Sequence, residues 1–345
     1  MNKKGAKKAP KVIKPVSTLV DACLTTFYFV VVAWVVHIFH RDVAALALLV
    51  LCIAGTFFGI RIVKWFFTLT GGWFSRTCLA YPPLNNPLGK RLVMKKFCDQ
   101  AWQLAFHTFF FLFELFILNT NEDESWWGDT KQCWVPHPSV QPLRPALKIF
   151  YITQLASYIF LGFSHRFWEE RRSDYVIMFG HHISTTILVA GSYANNYHRV
   201  GLLILLVHDV SDLPVDVLKM LNYLKLEGVP GFFLTEITFA TVITSWLYVR
   251  LWIFPSKLIY STLYESHLLA GQSTVGPNGE FWRDLFPPGM PFWLVANVCL
   301  LVLYLCHIIW FKLFLRLLIK VIMIGPHAAG EDDYEGKSDD ERHEN

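Results

Sequence analysis

The sequence predicts an all-α protein, a polytopic membrane helix bundle with seven or eight transmembrane helices. Three observations carry that prediction. Of its 345 residues, 54% are hydrophobic and only 17% charged, against roughly a quarter charged in ordinary soluble domains. The mean hydropathy is positive, at +0.37, and the apolar residues fall into runs of about 20, the length of a bilayer crossing. The basic residues gather between those runs instead of forming one stripe, and the net charge is only +4. That argues against nucleic acid as a partner and for the lipid bilayer.

Taken in order, residues 1–18 form a lysine-rich lead without an acid, expected to lie in the cytosol ahead of an uncleaved first helix at 19–40. A second run, 43–69, follows the Arg41-Asp42 break; Arg61 and Lys64 near its end can snorkel, and leave open a re-entrant or interfacial helix. Residues 70–96 read as a turn-rich basic connection, with Gly71-Gly72, Pro82-Pro83 and four cations from Lys90 to Lys96. The next spans are 99–118 and 146–163, joined by an acidic, tryptophan-rich loop suited to the opposite face. Two polar-marked runs fill 173–225 and turn at Asn195–Arg199; the last spans are 231–254 and 291–312. The tail from 321 is acidic and expected to be disordered, and its Ser338 heads a Ser-Asp-Asp-Glu run of the kind acid-directed kinases accept. Residues 19–89 thus form an N-terminal hairpin with its loop, and 90–320 a domain that carries the polar-marked runs. Charge bias favours eight crossings, which place both termini and every basic segment on one side.

The segment 173–225 puts ionisable groups where hydrocarbon rejects them. His181 and His182 lie in its first run; His208, Asp209, Ser211, Asp212 and Asp216 lie in its second. Such groups persist inside a bilayer by facing one another or a wet cavity, so they form the candidate site. At ~1.5 Å per residue, the histidine pair and Asp212 come level on antiparallel helices. His208 and Asp212 share a helical face at i and i+4, and Asp209, Asp212 and Asp216 share another at i+3 and i+7. Adjacent histidines point about 100° apart, so one serves as the reacting group and the other supports it. An imidazole flanked by carboxylates can take a proton, or can attack an activated acyl group. Interhelical hydrogen bonding alone is the plainer alternative.

His107, Glu114, His165 and His307 read as satisfied packing or interface residues. Asn195 and Asn196 fit a turn cap, with a ligand role as the alternative. Arg166, Arg171, Arg172, Lys219 and Lys225 mark the cytosolic side and ring the mouth of the cluster, where they can bind phosphates. The seven cysteines show no paired spacing, so neither a disulfide framework nor a zinc site is expected.

At these residues the sequence resembles the ceramide synthases, sphingoid-base N-acyltransferases with a TLC domain. The resemblance is carried by His181-His182, then Ser192-Tyr193, Asn196, Arg199 and Gly201, then His208-Asp209, Ser211-Asp212, Asp216 and Lys219. The segments Phe97–Trp102, Trp127–Trp134 and Arg250–Pro255 and the acidic tail add to it. Asp216 stands where the family usually has glutamate, and Pro214 where an aliphatic residue is common. The homeobox-like insert of many animal members is absent.

The resemblance implies acyl transfer from a fatty acyl-CoA to the amine of a long-chain sphingoid base, in the endoplasmic reticulum membrane. It implies catalytic roles for His181, His182, His208, Asp209 and Asp212, and substrate-binding roles for Asn196, Arg199, Ser211, Asp216, Arg171, Arg172 and Lys219. No cofactor or metal is expected; acyl-CoA is the co-substrate. A homo- or hetero-oligomer or a small regulatory subunit is left open. A non-catalytic TLC-domain lipid-transfer or translocon-associated protein is the alternative function. The HxxxH and HxxHH boxes of membrane di-iron enzymes and the internal repeats of transporters are both missing.

Overall fold

In a computed structural model of the chain, the described residues are 18–79, 90–120, 125–169, 175–266 and 290–324. The basic lead, Arg171, Arg172, most of the loop before the last helix, and the acidic tail with Ser338 lie outside them. The described elements are eight long helices and short 3-10 turns. They are α1 (Thr18–Phe39), α2 (Val43–Cys78), α3 (Lys90–Asn119), α4 (Pro145–Phe167), α5 (Tyr175–Ala194), α6 (His198–Tyr223), α7 (Leu234–Glu265) and α8 (Trp293–Ile324).

Six of them, α1 to α4, α7 and α8, are long and apolar enough to cross a membrane. The chain is a multi-pass membrane protein. The polar load of α5 and α6 keeps both below that mark, and each packs between two other long helices. The pattern of packing closes a ring: α3 on α6, α6 on α7, α7 on α8, α8 on α5, α5 on α4, and α4 back on α3. Consecutive in sequence, α5 and α6 therefore stand on opposite sides of the ring. Outside it, α2 covers the seam between α3 and α4, and α1 lies on α4 and α5.

Two expectations change here. Gly71-Gly72 is not a turn: α2 continues unbroken to Cys78, 36 residues in all. A Cβ on Gly71 would sit 2.5 Å from the Phe97 ring, so the glycine lets α2 approach α3 closely, as small residues do between membrane helices. A single helix of about 54 Å also leaves no reversal for a re-entrant segment. At its start Asp42 accepts hydrogen bonds from Ala45 N and Lys148 Nζ at 2.9 and 2.7 Å. The bond from Lys148, with those from the helix backbone, holds the Asp42 carboxyl below the ordinary carboxylate range.

Buried polar pairs fix the outer helices to the ring. Arg166 on α4 pairs with Asp21 on α1 at 3.0 Å, and Tyr175 on α5 donates to the same carboxylate at 3.1 Å. After Ser245, α7 changes to π-helical bonding over Trp246–Ile259, a form that concentrates at functional positions. That stretch carries Arg250.

Candidate active site

The second polar helix builds one wall. Along α6, His208, Asp209, Ser211 and Asp216 are buried, while the Asp212 side chain keeps 28% exposure. His208 Nδ1 donates to the Ile204 carbonyl at 2.6 Å, which leaves Nε2 as the bare acceptor nitrogen of a neutral ring. Nε2 itself is buried and has no hydrogen-bond partner among the described residues.

Arg250, 1% exposed, organises this wall. Its Nη2 pairs with Asp212 Oδ1 at 2.7 Å and donates to the His208 carbonyl at 2.9 Å; its Nη1 donates to His307 Nε2 at 2.8 Å, and its Nε to Ser211 Oγ at 2.5 Å. The guanidinium also lies over the Trp246 ring, 4.8 Å from its centroid. From α7, a planar fork of five donors serves four groups on two other helices, α6 and α8, a geometry no lysine reproduces.

On the other side α3 reaches in. His107 Nδ1 donates to Asp216 Oδ2 at 2.6 Å, and its Nε2 lies 3.9 Å from Asp212. Gln100 donates to Asp216 Oδ1 at 2.5 Å. Asp216, 2% exposed on the cavity lining, is thus held by two donors from α3.

Across the cavity stand His181 and His182 on α5, each partly exposed. Both Nδ1 atoms are buried without a hydrogen-bond partner among the described residues. The His181 ring packs 5.4 Å from Trp310, and the His182 ring 5.4 Å from His165, whose Nδ1 donates to Glu169 at 3.1 Å. The expected meeting of imidazoles and carboxylates takes this form: the two sets line one cavity from opposite walls, with no hydrogen bond between them.

That cavity holds about 1080 Å³, beyond the ~300–1,000 Å³ of typical small-molecule sites. Its lining follows α6 from Tyr197 to Lys219, about 33 Å along the helix. At one end lie Lys64, Lys95, Lys96, Lys219, Arg316 and Lys320; at the other lie Trp134, Tyr197, Phe292 and Trp293; His181, His182, His208, Asp209, Asp212 and Arg250 come between. Among the described residues no group of three or more His, Cys, Asp or Glu side chains is set to hold a metal ion.

Asn196 and Arg199 are not brought to this cluster. Asn196 sits in the α5–α6 turn with φ of 60°. Arg199 Nη1 donates to the carbonyls of Gln132 and Val135 at 2.8 and 3.0 Å, and its guanidinium covers Trp126. It anchors the tryptophan-rich loop. The surrounding motif is a clasp: Tyr151 OH lies 3.0 Å from Ser192 Oγ and donates to the His198 carbonyl at 3.0 Å, while Ser192 Oγ donates to the Tyr197 carbonyl at 2.8 Å. Gly201 makes room for it, since a Cβ there would lie 2.1 Å from the Tyr151 hydroxyl. Gly201→Ala is accordingly expected to cost about 1–3 kcal/mol by overpacking, read as a lower unfolding midpoint in detergent; an unchanged midpoint would remove the clasp argument.

Sequence reasoning missed Arg250, His107, Gln100, Glu114 and His307 as parts of the site. Four of them are single ionisable residues in apolar runs, and the signal at hand was their cost, since an intramembrane ionisable residue is a functional candidate even when it stands alone; Gln100, beside Asp99, carried no such mark.

A family model for the TLC domain matches residues 96–316. The chain is 33% identical over 249 residues to ceramide synthase 5 of Homo sapiens, covering 72% of this chain and 57% of that protein. It is 31% identical over 255 residues to ceramide synthase 1 LOH3 of Arabidopsis thaliana, covering 70% and 77%. ASC1-like protein 1 of Oryza sativa subsp. japonica is 30% identical over 256 residues, covering 71% and 77%. The chain therefore spans little more than half of the human protein and about three quarters of the plant ones. The TLC match takes in the six helices that close around the cavity and leaves α1 and α2 outside. On that match and these relatives, the chain belongs to the ceramide synthase family of TLC-domain enzymes.

Proposed function

We propose that the chain transfers a fatty acyl group from acyl-CoA to the amine of a long-chain sphingoid base, forming (dihydro)ceramide. The observation that carries this reading is the cavity's lining, which is basic at one end, apolar and aromatic at the other, with imidazoles facing carboxylates between. Coenzyme A is polyanionic and suits the basic end, while the acyl and sphingoid chains need the apolar depth. In the transfer, the thioester C–S bond breaks and an N–C bond forms. The amine enters as an ammonium and must lose a proton before it attacks, which requires a base.

His181 either attacks the thioester, forming an acyl-imidazole, or serves as that base; its partial exposure on the cavity supports the choice over the buried His208. His182 supports it. His208, Asp209 and Asp212 balance charge opposite, and Arg250 and His107 hold those carboxylates in place. Lys219, with Arg171 and Arg172, receives the phosphates. The basic mouth faces the cytosol in this reading, with the endoplasmic reticulum membrane crossed eight times and both termini cytosolic.

The test is direct: purified protein given acyl-CoA and a sphingoid base makes N-acyl product, and a panel of acyl-CoAs reads its chain-length preference. A protein that binds these lipids without forming product would be a non-catalytic relative. Lys219→Glu is expected to raise the KM for acyl-CoA roughly tenfold, the scale of one charge-assisted contact. A short acyl thioester lacking the nucleotide should show no such change. Equal effects on both substrates would place the phosphates elsewhere.

A further inference from the structure

Behind the cavity wall lies a carboxyl that the mechanism above does not use. Glu114, on α3, is 0% exposed and does not line the cavity. Neither of its oxygens has a hydrogen-bond partner among the described residues, and the same is true of Asp209 Oδ2. Yet α3 and α6 pack along their lengths with His107 against Asp216 at 2.6 Å, and seven residues on from the one and seven back from the other bring Glu114 level with Asp209 on the facing sides of the two antiparallel helices. Ionised carboxylates only accept hydrogen bonds, so two of them side by side cannot satisfy one another, and two like charges buried together are strongly disfavoured. One proton between them resolves both problems.

The surroundings say which carboxyl holds it. Asp209 lines the cavity, and Arg250 from α7 and His107 from α3 face it, with Asp212 on its own helix. Glu114 interacts electrostatically with Asp209 and with two tyrosines of α4, Tyr151 and Tyr158, and among the described residues with no cation that would favour its ionised form. A carboxylic acid kept neutral by its environment becomes a hydrogen-bond donor.

We propose that Glu114 is held as the neutral acid, that its O–H donates to Asp209, and that this bond keeps Asp209 ionised on the cavity wall to receive the ammonium of the amine substrate. Glu114 is thus a positioning residue. The inference rests on the acyl-transfer reading for the identity of the cation, not for the proton. Sphingoid bases fit the subsite because they present a primary ammonium at the head of a long chain.

Two measurements decide it, both on the full-length protein in detergent. In infrared spectra at neutral pH, wild type minus Glu114→Gln should show a carboxylic-acid C=O band that shifts in D2O; identical carboxyl regions would overturn the proposal. In turnover assays, Glu114→Gln still donates a hydrogen bond and should stay within about threefold of wild type, with an unmoved pH profile. Glu114→Met removes the donor, so Asp209 protonates more readily. Turnover at neutral pH should then fall about tenfold or more, and the acid limb should move to higher pH. A structural role alone would leave that limb in place, which would overturn the proposal, as would a Gln variant no better than the Met variant. Wild-type protein that forms no N-acyl product would defeat the reaction reading by itself, while the infrared comparison would still decide the proton.

Discussion

Alanine at His181 is expected to lower N-acyl transfer by roughly a hundredfold to ten-thousandfold, the range lost with a general base or nucleophile, while the protein still folds. The ring makes no hydrogen bond at Nδ1, so its removal strands no partner; what is lost is chemistry. His182→Ala should cost less, about tenfold, because that ring supports the other and packs on His165 at 5.4 Å. Intact-mass measurement after incubation with acyl-CoA alone separates the two versions of the role. An acyl adduct present in wild type and absent in His181→Ala marks the imidazole as nucleophile; release of CoA without an adduct leaves the base role. Normal turnover by the alanine variant would sink both.

The second large effect falls on stability as well as activity. Arg250→Met should cost about 3–5 kcal/mol, the scale for removing one partner of a buried ion pair, because Asp212, the His208 carbonyl, Ser211 and His307 all lose their donor together. Unfolding in detergent should occur at a markedly lower temperature, with activity lost throughout. Arg250→Lys can keep the pair with Asp212 but not the fork, so it should fall between. If the Met variant matched wild type in both readouts, the arginine would not be the organiser of α6, α7 and α8.

Much of this was legible in the sequence. Helix positions followed from run length, and the cluster on α5 and α6 from the cost of polar groups in lipid. Helix ends were less legible: α2 and α3 both extend through the stretch around Gly71 and Lys90, because glycine and charge read as turn signals where packing on Phe97 decided otherwise. The clasp residues misled for a related reason. Asn196 and Arg199 lie between the two halves of the cluster in sequence, but the turn between antiparallel helices is the point furthest from residues that come level at mid-helix. Arg250 stayed hidden as an organiser because its partner Asp212 lies 38 positions away, and only the packing of α7 on α6 sets them together.

That α5 and α6 are neighbours in the chain yet opposite in the ring has a consequence for biogenesis. Neither passes as a membrane span by length and composition, and each packs on one ring helix made before it and one made after it, α6 on α3 and α7, α5 on α4 and α8. The α5–α8 contact of the ring can therefore form only after the final helix has been made. A chain cut short before Trp293 would lack the α8 wall of the cavity, including Trp310 against the His181 ring at 5.4 Å, and is expected to accumulate to a lower level than the full chain.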